Sequence, residues 1–342
     1  MRIIDVHAHA VPDALLSTLD ESRGRWGVTV ARRADSLAIV VGDAPPTRLK
    51  PELVDPQGRL AAMDAAGVDV QLVSPWMNLA ATALEPSVAV DFARTSNDAL
   101  AASVASHPDR FAALANLPLQ DPERAAAELR RAVSDLGMVG AEIATRPGGL
   151  ELDDEGFEPV WRAARELDCM VLVHPHQSLQ GRGVTRHFLG NLVGNPAEST
   201  IAIGHLVFGG VVERHPSVRF CFVHGGGFAP YQVGRWDHAF RQDARGAATN
   251  VATLPSDLLR RMWFDTVVHS PGALRHLLAT VGEDRVVLGS DHPFEMGDPD
   301  PIASVGSVTS GDAGLHERLV SANAIALLGS HADRVGDRRA PD

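Results

Sequence analysis

Histidines and one aspartate recur at the ends of apolar runs along this 342-residue chain. His7 and His9 stand two residues apart at the end of one run, and residues i and i+2 of a strand point to the same face. Three further runs end at His174, His224 and Asp291. Imidazole nitrogens with one carboxylate suit a borderline divalent ion such as Zn²⁺, with Mn²⁺ or Fe²⁺ as the other options. One histidine alone is usually structural, but recurrence at four strand ends indicates a shared metal site.

The elements that must position these groups are short apolar runs alternating with helical patterns. Eight runs are apolar through most of their length, which is typical of parallel strands buried on both faces. They are Ile3–His9, Val68–Ser74, Phe111–Leu117, Val139–Ala144, Met170–His174, Arg219–His224, Trp263–Val267 and Arg285–Ser290. Eight strand–helix units predict a (β/α)8 TIM barrel, whose active site lies at the carboxyl ends of the strands. The alternative is a doubly wound sheet, but the first run is not followed by the Gly-rich phosphate loop usual there.

Helix start and stop signals fit the same organisation, with Pro near the starts and Gly or Pro after the ends. The predicted helices are Pro56–Ala66, Pro86–His107, Asp121–Leu136, Asp154–Leu167 and Pro271–Val281. A barrel needs about 250 residues, so part of the chain is surplus. We expect a small two-stranded insertion after the first strand, over residues 25–50. A single domain over residues 1–330 and a polar C-terminal tail over residues 331–342 complete the prediction.

Composition restricts the partners and the compartment. The net charge of −12 excludes nucleic acid and other polyanions as main ligands, whereas a small acid needs only a few local arginines. The sequence shows no signal peptide and no apolar span for a membrane. Cys169 and Cys221 lie far apart in apolar runs, so we expect two buried free thiols in a reducing cytoplasm.

Lysine scarcity bears on the number of metal ions. Lys50 is the only lysine, against 30 arginines, and the fourth predicted strand has none that could carry a bridging carbamate. Glu142 is the one carboxylate on that strand that could bridge two ions. Its other interpretation is a hydrogen-bond partner inside the barrel, so the sequence favours one metal ion.

Beyond single residues, whole motifs resemble a known family. The motifs at the strand ends are Asp5-Val-His7-Ala-His9, Val173-His174-Pro175, His224-Gly-Gly-Gly and Leu288-Gly-Ser-Asp291-His-Pro-Phe294. They resemble the amidohydrolase superfamily and, more narrowly, its α-amino-β-carboxymuconate-ε-semialdehyde decarboxylase-like group. Segments 59–69, 194–203, 208–216 and 282–291 are also similar to that group. The resemblance covers nearly the whole chain except residues near 25–50 and the tail.

The resemblance implies roles for the strand-end residues. His7, His9, His174 and Asp291 would hold one divalent metal ion. His224 would be an acid/base beside the metal without binding it, although a fifth-ligand role stays open. The implied reaction is non-oxidative decarboxylation of a small unsaturated or aromatic acid, with His224 or Asp291 delivering the proton that replaces CO₂.

Further residues are implied for the substrate. Arg235 would reach the site of a neighbouring subunit in a homodimer, and its other interpretation is a surface arginine in an ion pair. Arg48 would bind a substrate carboxylate, because arginine is the better bidentate partner. Trp76 and Phe294 would wall an unsaturated or aromatic substrate, or simply pack at the barrel rim.

Two other classes of function remain compatible with the sequence. The same metal site would serve a hydrolase or hydratase of a lactone, amide or unsaturated acid, because a fold does not fix a function. A non-catalytic metal- or acid-binding protein is the third interpretation. His176 and His292 replace residues that are often aromatic in the resembled group, so the substrate could differ from the group's semialdehyde.

Overall fold

The computed structural model describes residues 1–33, 36–42, 45–80, 84–176 and 183–335. Eight strands pair in parallel and in chain order into a nearly closed barrel, which confirms the predicted TIM barrel. The barrel strands are β1 (Ile4–Ala10), β5 (Val70–Pro75), β6 (Phe111–Asn116), β7 (Gly140–Ala144), β8 (Met170–His174), β9 (Arg219–Phe222), β10 (Trp263–Asp265) and β11 (Val286–Val287).

The insertion after β1 is an antiparallel sheet of three strands rather than the two predicted. Its strands are β2 (Val28–Arg33), β3 (Ser36–Val41) and β4 (Thr47–Arg48). The sequence missed β4 because two residues are too few to show an alternating pattern. Trp26, Ile39 and Leu49 of this region are buried in one cluster with Trp76, so the insertion covers the barrel rim beside the end of β5.

Helices surround the barrel, and their ends follow the predicted signals. They are α1 (Asp13–Glu21), α2 (Pro51–Val54), α3 (Pro56–Ala66), α4 (Pro86–Ala105), α5 (Pro122–Ser134), α6 (Glu158–Glu166), α7 (Asn195–Phe208), α8 (Val211–Arg214), α9 (Ala229–Arg241), α10 (Pro255–Leu259), α11 (Pro271–Val281), α12 (Pro301–Thr309), α13 (Ala313–Glu317) and α14 (Asn323–Leu328). Asp55 caps α3 by accepting hydrogen bonds from the backbone of Gln57 and Gly58. Among the described residues, none of these helices is both long enough and apolar enough for a membrane span.

The barrel strands are buried on both faces, and the alternation of side chains along each strand decides which of them point into the barrel and reach its mouth. On β8, Met170 and Leu172 fill the barrel interior while Val171 and Val173 pack against the helices. His174 continues the interior series and therefore projects into the mouth of the barrel.

A local irregularity changes this alternation on β1. Ile4 and Val6 fill the interior, yet pairing with β5 shifts register between Asp5 and Ala8. Three residues of β1 thus span two of β5, which is the signature of a bulge. A one-residue slip moves the following side chains to the opposite face. His7 and His9 therefore turn inward although they share their odd numbering with the outward Asp5.

The segment expected to be a C-terminal tail is partly packed. A short 3-10 helix runs over Gly329–Arg334, His331 is buried and Val335 lies in the core. Residues 331–335 thus cover the barrel instead of leaving it. The rest of the expected tail, residues 336–342, lies outside the described residues.

Candidate metal centre

Four predicted ligands converge at the mouth of the barrel. The ligand atoms of His7, His9, His174 and Asp291 all lie within 4.8 Å of one another, and all four residues are buried. The Nε2 atoms of His7 and His9 are 3.2 Å apart, and Asp291 Oδ1 lies 3.4 Å from the first and 3.2 Å from the second. Ligand atoms about 2.1 Å from a tetrahedral Zn²⁺ would be separated by about 3.4 Å. These spacings therefore fit one divalent ion.

The outer partners of the histidines decide which nitrogen faces the centre. Nδ1 of His7 is 2.7 Å from Oδ2 of Asp265, a carboxylate that is fully buried at the end of β10. Asp265 is anionic because, although burial opposes its charge, the hydrogen bond from His7 keeps its pKa below the usual value. An anionic carboxylate only accepts hydrogen bonds, so Nδ1 carries the proton and Nε2 offers a lone pair to the centre.

The other two histidines show the same arrangement. Nδ1 of His174 donates to the carbonyl of Pro175 over 2.7 Å, and Nδ1 of His9 lies 3.4 Å from the carbonyl of Pro75. His174 Nε2 and Asp291 Oδ1 are buried without a hydrogen-bond partner in the described structure. Buried polar atoms without partners are costly, and an ion would satisfy both. The donor set thus fits a metal ion.

The charge states also suit a cation. Burial and the neighbouring imidazole of His9 hold the pKa of His174 well below its usual value, so this ligand is neutral. Although burial opposes ionisation, His7 and His224 keep the pKa of Asp291 well below its usual range. Burial acts against protonation of His9, yet Glu142 and Asp291 raise its pKa. The ionised Asp291 therefore supplies the negative charge that favours a positive ion at the centre.

His224 stands beside this cluster on a constrained turn after β9. Its Nε2 lies 3.5 Å from Asp291 Oδ2, and its ring centre lies 5.2 Å from that of His174. Its backbone is left-handed, with φ of 54°. The following Gly227, with φ of 63°, passes so close to the backbone of Pro196 that a side chain would overlap its carbonyl oxygen. Glycine is required there, and strain of this kind persists only where the surroundings enforce it.

Glu142 lies behind His9, on β7. Its Oε1 is 3.7 Å from Nδ1 of His9 and has no hydrogen-bond partner in the described structure, and the residue is buried. Burial raises the pKa of Glu142 to about 7. The described ligand cluster does not include Glu142. The position of Glu142 beside His9 therefore supports the interpretation of this carboxyl group as a polar partner inside the barrel rather than a bridge between two ions.

An aromatic wall adjoins the metal ligands. The ring of Phe294, three residues after Asp291, is centred 5.3 Å from the ring of His9 and 6.0 Å from that of Trp76. Trp76 follows β5 and belongs to the cluster under the insertion. The structure thus brings together the two aromatic residues named from the sequence.

The two candidate arginines lie farther out. Arg48 is exposed on β4 and lines a surface cavity of about 350 Å³ with Arg32 and Lys50. Lys50 Nζ donates to the carbonyl of Pro293 over 2.9 Å, which places this cavity beside the loop that follows Asp291. Arg235 is exposed on α9. Among the described residues, neither arginine makes an ion pair with a carboxylate.

Two residues that distinguish the sequence from the resembled group lie at the same mouth. His292 accepts a hydrogen bond from the backbone of His9 through its carbonyl, and burial with Arg59 nearby lowers the pKa of its ring to about 4. His176 is half-buried, and burial lowers its pKa. Sequence reasoning missed Asp265, although a charged residue inside the mostly apolar seventh run, Trp263–Val267, was the available signal.

Comparison with known proteins identifies the family. A family model described as amidohydrolase matches residues 4–330. The chain belongs to the amidohydrolase family. This amidohydrolase is 32% identical to 2-amino-3-carboxymuconate-6-semialdehyde decarboxylase of Dictyostelium discoideum, over 95% of this chain and 91% of that protein. It therefore also belongs to the aminocarboxymuconate-semialdehyde decarboxylase-like group.

Two further similarities define the range of activities in the family. The crystal structure of a 2,6-dihydroxybenzoate decarboxylase in complex with 2,6-dihydroxybenzoate matches with a TM-score of 0.73 and 28% identity, covering 81% of this chain and 89% of that one. The 2-keto-4-carboxy-3-hexenedioate hydratase of a Sphingobium strain is 31% identical over 84% of this amidohydrolase and 82% of the relative. Both decarboxylation and hydration thus occur among its relatives.

Proposed function

We propose that this protein is a metal-dependent decarboxylase of a small unsaturated or aromatic carboxylic acid. The observation that carries the proposal is the convergence of His7, His9, His174 and Asp291 with His224 beside them, in a chain similar to decarboxylases over most of its length. Zn²⁺ is the proposed ion, with Mn²⁺ and Fe²⁺ as the alternatives. Two buried free thiols support a cytoplasmic location.

The metal-binding residues and His224 divide the chemistry. When bound, the ion supplies a Lewis acid that stabilises negative charge on a substrate oxygen. The bond between the carboxyl carbon and its neighbour breaks, CO₂ leaves, and the electron pair stays on the neighbouring carbon. His224 then transfers a proton to that carbon. Burial opposes the charge of His224, but the hydrogen bond to Asp291 raises its pKa, so the protonated ring carries a proton on each nitrogen. Nε2 faces Asp291, and Nδ1 has no hydrogen-bond partner in the described structure, so the Nδ1 proton is the one available for transfer.

The pocket walls and the arginines would orient the substrate. Trp76 and Phe294 form an apolar face beside His9, which suits a flat, conjugated acid. Arg48 would bind a carboxylate from the insertion side. Its exposed guanidinium has no described partner, so it is available for an anion.

A homodimer with shared sites is part of the proposal. Six of the eight large apolar side chains exposed in the described structure lie within residues 188–231, the part of the chain that precedes Arg235. They are Phe188, Leu192, Val193, Ile201, Phe228 and Tyr231. Exposed apolar surface of this kind marks interaction sites. Arg235, which makes no ion pair with the residues that the structure describes, would extend from this surface into a partner.

Mixed subunits test this arrangement. Arg235→Ala and His224→Asn should each be inactive, but a hybrid dimer would contain one site with both wild-type residues. We expect activity to reappear when the two variants are unfolded, mixed and refolded together. No recovery would mean that Arg235 serves its own subunit or no site at all.

The reaction itself is tested with substrates labelled with ¹³C in the carboxyl group. A panel of carboxymuconate and ortho-hydroxybenzoate acids should release ¹³CO₂ in stoichiometric amounts, and the product should acquire one deuterium from D₂O. The second candidate is a hydratase, favoured by the Sphingobium relative. Solvent ¹⁸O in the product without CO₂ release would select it.

A further inference from the structure

The seam between the first and last strands of the barrel carries three of the four proposed ligands. β11 ends at Val287, so Ser290 and Asp291 lie beyond its regular pairing. Only a few backbone bonds then cross to β1, such as Asp291 N to His7 O at 2.8 Å. The distance between the histidine pair and Asp291 therefore depends on additional contacts across this seam.

Asp5 supplies such contacts with a single buried carboxylate. Its Oδ1 accepts the backbone N–H of His7 at the β1 bulge and the backbone N–H of Ser290 across the seam, both over 3.0 Å. Its Oδ2 accepts the hydroxyl of Ser290. Asp5 is fully buried. One oxygen atom thus joins the backbone of one ligand to the residue that precedes another.

A chain of donors fixes the orientation of this carboxylate. Nη1 of Arg59 donates to Oε1 of Gln71 over 3.0 Å, and Nε2 of Gln71 donates to Asp5 Oδ2 over 2.9 Å. Nη2 of Arg59 also donates to the carbonyl of His9. A guanidinium can only donate, so each hydrogen bond in this series is donated towards Asp5. The last group of the series must therefore be an acceptor. Only a carboxylate at position 5 accepts from every neighbour.

We infer that Asp5 is a positioning residue that sets the metal affinity by holding the His7 bulge against Ser290 and Asp291. The inference rests on the metal site of the proposed function. Asp5, Gln71 and Arg59 would not contact the ion themselves. They act through the backbone that carries the ligands, as outer partners of metal ligands do.

The test compares metal affinity with stability in Asp5→Asn. The amide keeps the size of the carboxylate, but its NH₂ group faces the Nε2 donor of Gln71, which cannot turn without facing Arg59. Zn²⁺ titration of the metal-free protein against a competing chelator should show an affinity at least tenfold weaker than that of the wild type. Urea unfolding of the metal-free proteins gives the stability change separately.

A matched control separates positioning from general destabilisation. Asn97 is buried in an unrelated network, where it donates to Glu128 over 2.8 Å and to the carbonyl of Asn116 over 3.0 Å. Asn97→Ala should destabilise the metal-free protein while keeping wild-type metal affinity. If Asp5→Asn is also destabilised but binds Zn²⁺ like the wild type, Asp5 is only structural and the inference is wrong.

Two milder variants keep the test decisive if Asp5→Asn does not fold. Ser290→Ala removes the hydroxyl bond and leaves the amide bond, and Gln71→Leu removes the donor chain. Each should weaken Zn²⁺ binding by several-fold, and unchanged affinity in both would overturn the inference. If the wild type itself binds no metal ion, the proposed function fails instead.

Discussion

Asp265→Asn should switch the tautomer of His7 and so weaken metal binding. In the wild type, Oδ2 of Asp265 accepts from His7 Nδ1, while Oδ1 accepts from the backbone N–H of Gly225 over 2.8 Å and of Val267 over 3.1 Å. The side chain of an asparagine has a single oxygen, which can accept either from His7 or from the two backbone N–H groups, but not from both. If it keeps the two backbone bonds, its NH₂ group faces His7, whose Nδ1 must then accept and whose Nε2 must carry the proton.

The magnitude follows from the cost of the other orientation. Turning the amide would restore the acceptor for His7 but leave two buried backbone N–H groups without one. Each such group costs about 1–3 kcal/mol, so the turned amide costs about 2–6 kcal/mol. A metal ion can regain the Nε2 lone pair only by imposing this orientation. The affinity should therefore fall by about 2 kcal/mol or more, which is roughly 30-fold.

Two assays measure this prediction. Chelator competition with Zn²⁺ gives the affinity, and ¹⁵N spectra of histidine-labelled, metal-free protein show which nitrogen of His7 is protonated. Asp237→Asn is the matched control, because Asp237 is a buried aspartate that accepts from the backbone of Ser256 away from the metal centre. Wild-type affinity in Asp265→Asn, or His7 still protonated at Nδ1, would refute the reasoning.

Three further predictions follow from the same structure. His224→Asn should retain the metal ion and lose turnover, whereas His174→Ala should lose the metal; elemental analysis and CO₂ release measure both, and metal loss in the first would make His224 a ligand. Burial raises the pKa of Cys169 to about 12, so a thiol reagent at pH 8 should label neither cysteine until urea unfolds the chain; rapid labelling of the native protein would contradict this burial. Gly227→Ala should lower the free energy of unfolding by about 2–5 kcal/mol from backbone strain and overlap, whereas Gly234→Ala, on an open helix face, should leave it equal or slightly higher; urea titrations compare the two, and equal stability would remove the packing argument.

The sequence predicted most of the fold because the barrel strands are buried on both faces and therefore read as continuous apolar runs. Met170–His174 and Pro271–Val281 have the predicted bounds. The last strand departs most from its prediction. Arg285–Ser290 was predicted, but only Val286–Val287 pairs regularly, because Ser290 and Asp291 bond to Asp5 and β1 rather than to a strand ladder.

The strand-end cluster was predictable because its members lie at the ends of apolar runs, and the family resemblance then separated the four ligands from His224. The residues that support the ligands were not predictable. Asp265 and Gln71 act through partners far away in the sequence, and only the folded barrel shows which donor meets which acceptor. The bulge on β1 is also invisible in the pattern, yet it turns His7 and His9 inward. Arg48 and Arg235 came from family resemblance alone, and their roles stay predictions.

The most direct test of the central claim combines metal analysis with product analysis on one preparation. The purified protein should contain about one divalent ion per chain and convert a ¹³C-carboxyl-labelled acid to ¹³CO₂. Removal of the ion by a chelator should abolish the release, and returning the ion should restore it. Turnover of the same acid with solvent ¹⁸O in the product and no ¹³CO₂, or full activity without the ion, would contradict the proposed metal-dependent decarboxylase.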